Sequence, residues 1–244
     1  MPLARVLTWI ERSFEPVREL LRPVLSDPLV IGVWALLIVT SVAVLLWDLR
    51  RHSRALPSLM KGVWALVVLY SGPFGLLLYW YAGRTGISHD SLWRRGVRST
   101  AHCYSGCGAG EVVGITLAQG ILALAVGWVA AVTFGFAYLF GFGLTVGPLM
   151  QEGVGFREAM ADALYSETPS ITVMEVVAIG ADLLLAADTH MGQPLFWMAL
   201  ALSLSLGFLA AFPVNVVLVH LGVKEGMKNP AEMDADGRSG ATAD

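Results

Sequence analysis

The stretch CYSGCGAGEVVGITLAQGILALAVGWVAAVTFGFAYLFGFGLTVGPL, residues 103–149, decides the fold, because Glu111 is its only charged side chain. A membrane-spanning helix needs about 20 mostly apolar residues. The 47 residues of this stretch are therefore too many for one span and suitable for two. We expect the chain to break near Gly127, so that two consecutive spans are joined by a very tight turn.

The composition of the whole chain agrees with a membrane protein. Of its 244 residues, 56% are hydrophobic and 14% are charged, and the mean hydropathy is +0.65. A soluble domain averages about 25% charged residues, so an ordinary soluble enzyme and a disordered chain are both excluded. The net charge of −3 leaves no basic excess for a nucleic-acid partner. Two cysteines are too few for a disulfide scaffold.

Further apolar segments lie on both sides of the opening stretch. They predict an all-α fold, a polytopic transmembrane helical bundle of about six spans over residues 29–221. The expected spans are 29–47, 62–81 with a kink at Pro73, 103 to about 127, about 127–149, 170–187 and 194–221. The segments 83–102 and 151–168 are polar and are expected to connect spans.

The two ends of the chain are more polar than the bundle. Residues 1–28 carry apolar side chains at helical spacing and lack the features of a signal peptide. They predict an amphipathic helix, broken near Pro16, that lies on the membrane surface or packs on the bundle. The tail, residues 222–244, is polar and is expected to fray.

Charge predicts the orientation. With six spans, the side that carries the termini and the 82–102 and 151–168 connections holds twelve of the sixteen Lys and Arg residues. Positive charge remains in the cytoplasm, so we expect both termini there. With five spans, the alternative, each side holds eight and charge does not predict an orientation.

The strongest local signal for chemistry is the segment that begins with His102. Cys103, Cys107 and Glu111 are spaced four residues apart and would share one face of a helix. Thiolates are soft ligands suited to Cu(I) or Zn(II), and His102 can add a nitrogen. We therefore identify these four residues as a candidate metal site. The alternative is that the cysteines are small buried residues that permit close helix packing.

Other donors are expected near the same end of the bundle. They are Met150, Gln151, Glu167 and His220. Asp188 and His190 lie in the connection between the last two spans and are either a solvated turn or an entry point for a cation.

Buried acids are the second signal. Glu175 and Asp182 fall in one expected span, two turns apart on the same face. Ionisable groups at membrane depth are costly and indicate function by default. The alternative is a neutral acid that hydrogen-bonds to Asn215 or Gln119. The candidate ion path comprises Glu167, Glu175, Asp182, Asn215 and His220.

Several segments resemble the DUF4396 family, bacterial multispan membrane proteins of unknown function. They are Ser71–Gly75, Tyr79–Arg84, His102–Glu111, Ser166–Glu175, Pro194–Met198, Phe212–Asn215 and Gly222–Met227. The resemblance covers about residues 60–228 and implies a single membrane domain in a bacterial cytoplasmic membrane. It marks His102, Cys103, Cys107, Glu111, Glu167, Glu175, Pro213 and Asn215 as motif positions, and it implies no reaction.

Three functions follow as hypotheses. The first is binding or transport of a soft transition-metal ion such as Cu(I) through the His/Cys/Cys cluster, with copper or zinc as the bound ion. The second is a membrane thiol redox protein that cycles Cys103 and Cys107 beside a quinone or a partner protein. The third is a non-enzymatic scaffold or assembly factor. The expected partners are the lipid bilayer and either another membrane protein or a second copy of the chain.

Overall fold

The computed structural model describes residues 2–87, 89–224, 227 and 229–231, which form eight α-helices and no strand. The all-α prediction is therefore confirmed. The helices are α1 (Pro2–Ser26), α2 (Pro28–Arg51), α3 (Ser58–Ser71), α4 (Pro73–Ala82), α5 (Leu92–Ile115), α6 (Val126–Gln151), α7 (Phe156–Ala186) and α8 (Pro194–His220). A π-helical turn, Thr116–Ile121, extends α5.

Among the described residues, four helices are long and apolar enough to cross a membrane, namely α2, α6, α7 and α8. The chain is thus a multi-pass membrane protein. The fifth long helix, α5, is more polar, and it packs against α3, α4, α6, α7 and α8. A polar helix that is surrounded by other helices can lie at membrane depth without exposing its polar face to lipid.

Segment 62–81 differs from the predicted single span. Helices α3 and α4 turn back on each other at Gly72, which has φ +54°. The Trp64 and Tyr79 rings are in contact, with centroids 5.6 Å apart. The Tyr79 hydroxyl also donates to Asp48 Oδ2 near the end of α2, at 2.7 Å. The segment therefore enters and leaves at the same end of the bundle. The prediction of a kinked span here was wrong, because Gly72 reverses the chain where Pro73 was expected only to bend it.

The connection between α5 and α6 confirms the expected tight turn. Residues 122–125 separate the π-helical turn from α6, close to the predicted break at Gly127. Helix α7 is longer than predicted, because it begins at Phe156 and continues through Pro169. Glu167 consequently lies on a helix and not in a connection.

Helix α1 is continuous, so the predicted break near Pro16 was wrong. Each proline removes one backbone hydrogen bond, but neither Pro16 nor Pro23 ends the helix. Leu21 and Leu25 pack against side chains of α7 and α8. The carboxyl end of α1 is thus packed on the bundle.

The bundle has two ends, which we name the Lys224 end and the Asp188 end. At the Lys224 end, Arg84 Nη2 bonds Asp48 Oδ1 at 2.8 Å, which joins the region after α4 to the end of α2. At the Asp188 end, Gln119 Nε2 donates to the Thr189 carbonyl at 3.1 Å. Helices α5 and α7 both run from the Lys224 end to the Asp188 end.

Candidate functional site

A stripe of glycines holds α5 against α6. Gly106, Gly110 and Gly114 follow each other at four-residue spacing on one face. A Cβ added at Gly110 would lie 2.6 Å from the Ala137 Cα, and one at Gly114 would lie 2.8 Å from the Thr133 Cα. Small residues let membrane helices approach this closely. Cys107 also lies in this contact, because a Cβ added at Gly141 of α6 would be 3.5 Å from its Sγ. The close-packing alternative therefore remains open for the cysteines.

At the Lys224 end, four side chains form a buried group that we name the lysine cluster: Cys103, Glu167, Asn215 and Lys224. The Cys103 thiol donates to Glu167 Oε2 at 2.8 Å. The Lys224 ammonium donates to the same oxygen at 2.5 Å and to Asn215 Oδ1 at 3.0 Å. It also lies 3.7 Å from Cys103 Sγ. A thiol, a carboxylate and an amide oxygen therefore surround one positive charge.

The turn after α8 places Lys224 in this cluster. Gly222 has φ +69°, in the left-handed region that glycine tolerates without strain. The Lys224 amide then donates to the Leu218 carbonyl at 3.3 Å, which returns the chain toward the bundle. Burial alone would lower the pKa of Lys224, but Cys103 and Glu167 outweigh it and raise that pKa above its ordinary value. The ammonium is therefore charged at neutral pH.

Deeper along the same helices, Cys107 and Glu111 lie beside Glu175, close enough to interact electrostatically. Glu175 is completely buried, and Glu111 is 2% exposed. Glu175 is close enough to Glu111 and Cys107 to form hydrogen bonds through a shared proton. No other described residue offers a partner to Glu175 or to Oε1 of Glu111. These acids thus differ from Glu167, which is fully engaged.

Asp182 completes the line toward the Asp188 end. It shares a small cavity with Glu111. Glu167 and Asp182 are about 22 Å apart along α7, at a rise of about 1.5 Å per residue. We name the sequence of groups Cys103, Cys107 and Glu111 on α5 with Glu167, Glu175 and Asp182 on α7 the polar line.

The four predicted metal ligands do not meet at one point. His102 and Glu111 are about 13 Å apart along α5, whereas a metal–ligand bond is about 2.0–2.3 Å long. Among the described residues, no group of three or more His, Cys, Asp or Glu side chains is placed to hold a metal ion. Cys103 and Cys107 remain one turn apart, buried and free.

The other predicted donors separate into two sets. Glu167 and Asn215 join the lysine cluster, whereas Met150, Gln151 and His220 are exposed. Asn215 therefore does not bind Glu175, which was the expected alternative.

In the connection between α7 and α8, Asp188 bonds Arg22 at 2.9 Å. That bond lowers the pKa of the Asp188 carboxyl. Asp188 therefore fastens α1 to the bundle.

Sequence reasoning missed Lys224, which had been assigned to the fraying tail. It also missed three hydroxyl groups of the lysine cluster's surroundings. Ser99 Oγ donates to Asn215 Oδ1 at 3.1 Å, Thr145 Oγ1 donates to Glu167 Oε1 at 3.3 Å, and Ser170 Oγ lies 3.3 Å from Cys103 Sγ. The available signal for Lys224 was its position two residues after a glycine that follows a long apolar helix.

The fold and the site define a polytopic helical membrane protein with a line of ionisable side chains buried between two of its helices. Within that class, the chain belongs to the DUF4396 family, a domain of unknown function, whose match covers residues 92–224. The match begins with α5 and ends at Lys224, so it contains the whole polar line. The resembling segments before residue 92 lie outside it. No curated protein and no solved structure matches the chain.

Proposed function

We propose that this protein binds a soft monovalent metal ion, Cu(I), and moves it across the bilayer along the polar line. The observation that carries the proposal is the succession of these groups along the facing sides of α5 and α7. Its carboxyl groups cover about 22 Å along α7, and the hydrocarbon core of a bilayer is about 30 Å thick. An ion that moved between them would meet a polar group at each turn or two of helix.

A purely structural role for the line fits less well. A charged side chain at the bilayer centre costs at least about 2.5 kcal/mol, and a structural network offsets that cost with hydrogen bonds. Among the described residues, Glu175 and Glu111 are paired only through a shared proton and the Cys107 thiol. Two buried acids paired in this way can exchange the proton for a cation.

The thiols favour copper as the cargo. Thiolates favour Cu(I) and Zn(II) over hard cations, and two thiolates are enough to coordinate Cu(I). A structural zinc site needs four ligands, which the described residues do not gather. Cys103 and Cys107 would hold the ion as thiolates. The proton of Cys103 would pass to Glu167, to which the thiol donates, and the proton of Cys107 to Glu175 beside it. His102, whose Nδ1 has no partner among the described residues, would receive the ion. Because Lys224 contacts Cys103 and Glu167, the ammonium must leave when the ion enters.

The first experiment is a Cu(I) titration of the purified protein in detergent under reducing conditions, in competition with a chromogenic chelator. We expect about one equivalent in the wild type and none in Cys103→Ser or Cys107→Ser. Met150→Leu is the matched control, because Met150 is an exposed soft donor at the same end. A wild type that binds no Cu(I) would overturn the proposal. Reversible oxidation of its two thiols would then favour the redox function.

The same variants in proteoliposomes test transport. Glu175→Gln should keep Cu(I) binding and lose most of the Cu(I) uptake, because it removes the charge at the centre of the line. Glu158→Gln, an exposed acid on the same helix, should behave like the wild type. If the wild type binds Cu(I) but takes none up into the proteoliposomes, transport is contradicted. A role as a copper-binding scaffold or assembly factor would then be favoured.

A further inference from the structure

A cavity of about 60 Å³ lies where the polar line meets the Asp188 end. Its walls come from the end of α5, the start of α6, the end of α7 and the start of α8. Four polar side chains line it: Glu111, Gln119, Thr133 and Asp182. The rest of its lining is apolar, and no Lys, Arg or His of the described part of the chain contributes to it. The cavity therefore combines two acidic groups with no neighbouring positive side chain in its wall.

Each of the four polar side chains has an oxygen without a hydrogen-bond partner among the described residues. These atoms are Glu111 Oε1, Gln119 Oε1, Thr133 Oγ1 and Asp182 Oδ1. Glu111 and Thr133 are only 2% and 3% exposed, whereas Gln119 and Asp182 are half-buried. Gln119 donates its amide nitrogen to the Thr189 carbonyl at 3.1 Å, which leaves its oxygen as a free acceptor. Buried acceptors of this kind normally have a partner, so their number points to a ligand.

The chemistry of these atoms indicates the ligand. All four are oxygens, and carboxylate, amide and hydroxyl oxygens are the ligands of hard cations. The volume is sufficient for a small ion together with one or two water molecules. The backbone beside the cavity is irregular, with the π-helical turn Thr116–Ile121 and Ala123 at φ +48°. Such π-helical turns are frequent at functional sites.

We propose that this cavity is a second cation site, which binds a hard monovalent ion of the size of sodium. It differs from the proposed copper site in its ligands, which are oxygens, and in its place at the opposite end of the line. A divalent ion is less suited, because two carboxyl groups and two neutral oxygens provide less charge than such sites usually carry. The inference goes beyond the proposed function, since sodium binding here requires neither thiol.

Thermal unfolding in detergent tests the proposal, with NaCl, KCl or choline chloride at one ionic strength. Saturating Na⁺ should raise the Tm of the wild type by about 5 °C or more over choline, at about a hundredfold excess over the Kd. Thr133→Val and Asp182→Asn should lose this shift. Asp162→Asn is the matched control, because Asp162 is an exposed acid on the same helix. The proposal would be overturned if the Tm of the wild type were the same in Na⁺ and in choline. It would also be overturned if Thr133→Val and Asp182→Asn both kept the Na⁺-dependent rise in Tm.

Labelling of the wild type provides a test that needs no variant. A hydrophobic carbodiimide modifies buried carboxyl groups, and mass spectrometry locates the product. Na⁺, but not choline, should protect Glu111 and Asp182 from modification, and equal labelling in both salts would overturn the site. Cys103→Ser separates this inference from the copper proposal, because it should lose Cu(I) and keep the Na⁺ response. Loss of the Na⁺ response in that variant would contradict an independent site.

Discussion

At the scale of single residues, the lysine cluster is the most tightly constrained part of the molecule. Lys224 and Glu167 are 9% and 3% exposed, and their charged atoms are 2.5 Å apart. A buried pair of this kind contributes little compared with two apolar side chains, but removal of one partner is costly. Through Lys224, the cluster thus joins the turn after α8 to Cys103 of α5 and to Glu167 of α7. It also keeps a positive charge at the place where a cargo ion would enter.

Replacement of one partner should therefore cost more than replacement of both. We expect Lys224→Met to lower the free energy of unfolding by about 3–5 kcal/mol, because Glu167 would remain as a buried unpaired charge. The double variant Glu167→Gln/Lys224→Met should recover most of that loss. Thermal unfolding in detergent measures the stability of the single and of the double variant. A double variant less stable than Lys224→Met alone would show that the charge pair itself is stabilising.

At the scale of helices, the contact between α5 and α6 decides where the polar line lies. The glycines of α5 face the backbone of α6 near Thr133 and Ala137. In helices, positions one residue apart point about 100° away from each other. Close packing of the glycine face on α6 therefore turns the adjacent positions toward α7.

A methyl group on this face should separate the two helices. Gly110→Ala would place its Cβ 2.6 Å from the Ala137 Cα, where the backbone cannot give way. We expect a loss of about 1–3 kcal/mol in unfolding free energy, as for other overpacked sites. Gly135→Ala on α6 is the matched control, since nothing lies within 4 Å of its Cβ. Equal Tm values for the two variants would contradict the tight contact.

At the scale of the whole molecule, the hairpin of α3 and α4 changes the distribution of charge. It places the basic residues of 50–61 at the same end as those of 84–98, which a full span would have separated. Among the described residues, the Lys224 end thereby holds most of the positive charge, and the positive-inside rule predicts that this end faces the cytoplasm. The carboxyl end of α1, held by Arg22 at Asp188, lies at the opposite end. Placement of both termini in the cytoplasm stays a prediction.

Labelling with an impermeant maleimide tests this arrangement. Arg54→Cys and Arg157→Cys should react from the same side of sealed membrane vesicles, and Asp188→Cys should react from the other. The wild type is a suitable background, because its two thiols are at most 1% exposed. Labelling of positions 54 and 157 from opposite sides would show that residues 58–82 cross the membrane.

The sequence by itself determined that this is a helical membrane protein, and it determined which polar side chains share one face of α5. Hydropathy identified the long apolar helices, because lipid contact requires an apolar surface over a known length. Helical periodicity aligned Cys103, Cys107 and Glu111, because residues four apart share a face in any α-helix. The family resemblance, drawn from the same residues, was confirmed.

Only the tertiary structure decided which of these side chains meet. Hydropathy measures how apolar a segment is and not its direction, so it could not distinguish the hairpin at Gly72 from a span. Lys224 and Cys103 are 121 positions apart in the chain, and a local pattern contains no information about such a contact. The acidic groups of α5 and α7 likewise lie along one line only because α6 runs back to the Lys224 end. Helix α7 therefore starts at that end and runs parallel to α5. The site therefore depends on helix packing and on the glycine turn at Gly222, because both bring together residues that are far apart in the sequence.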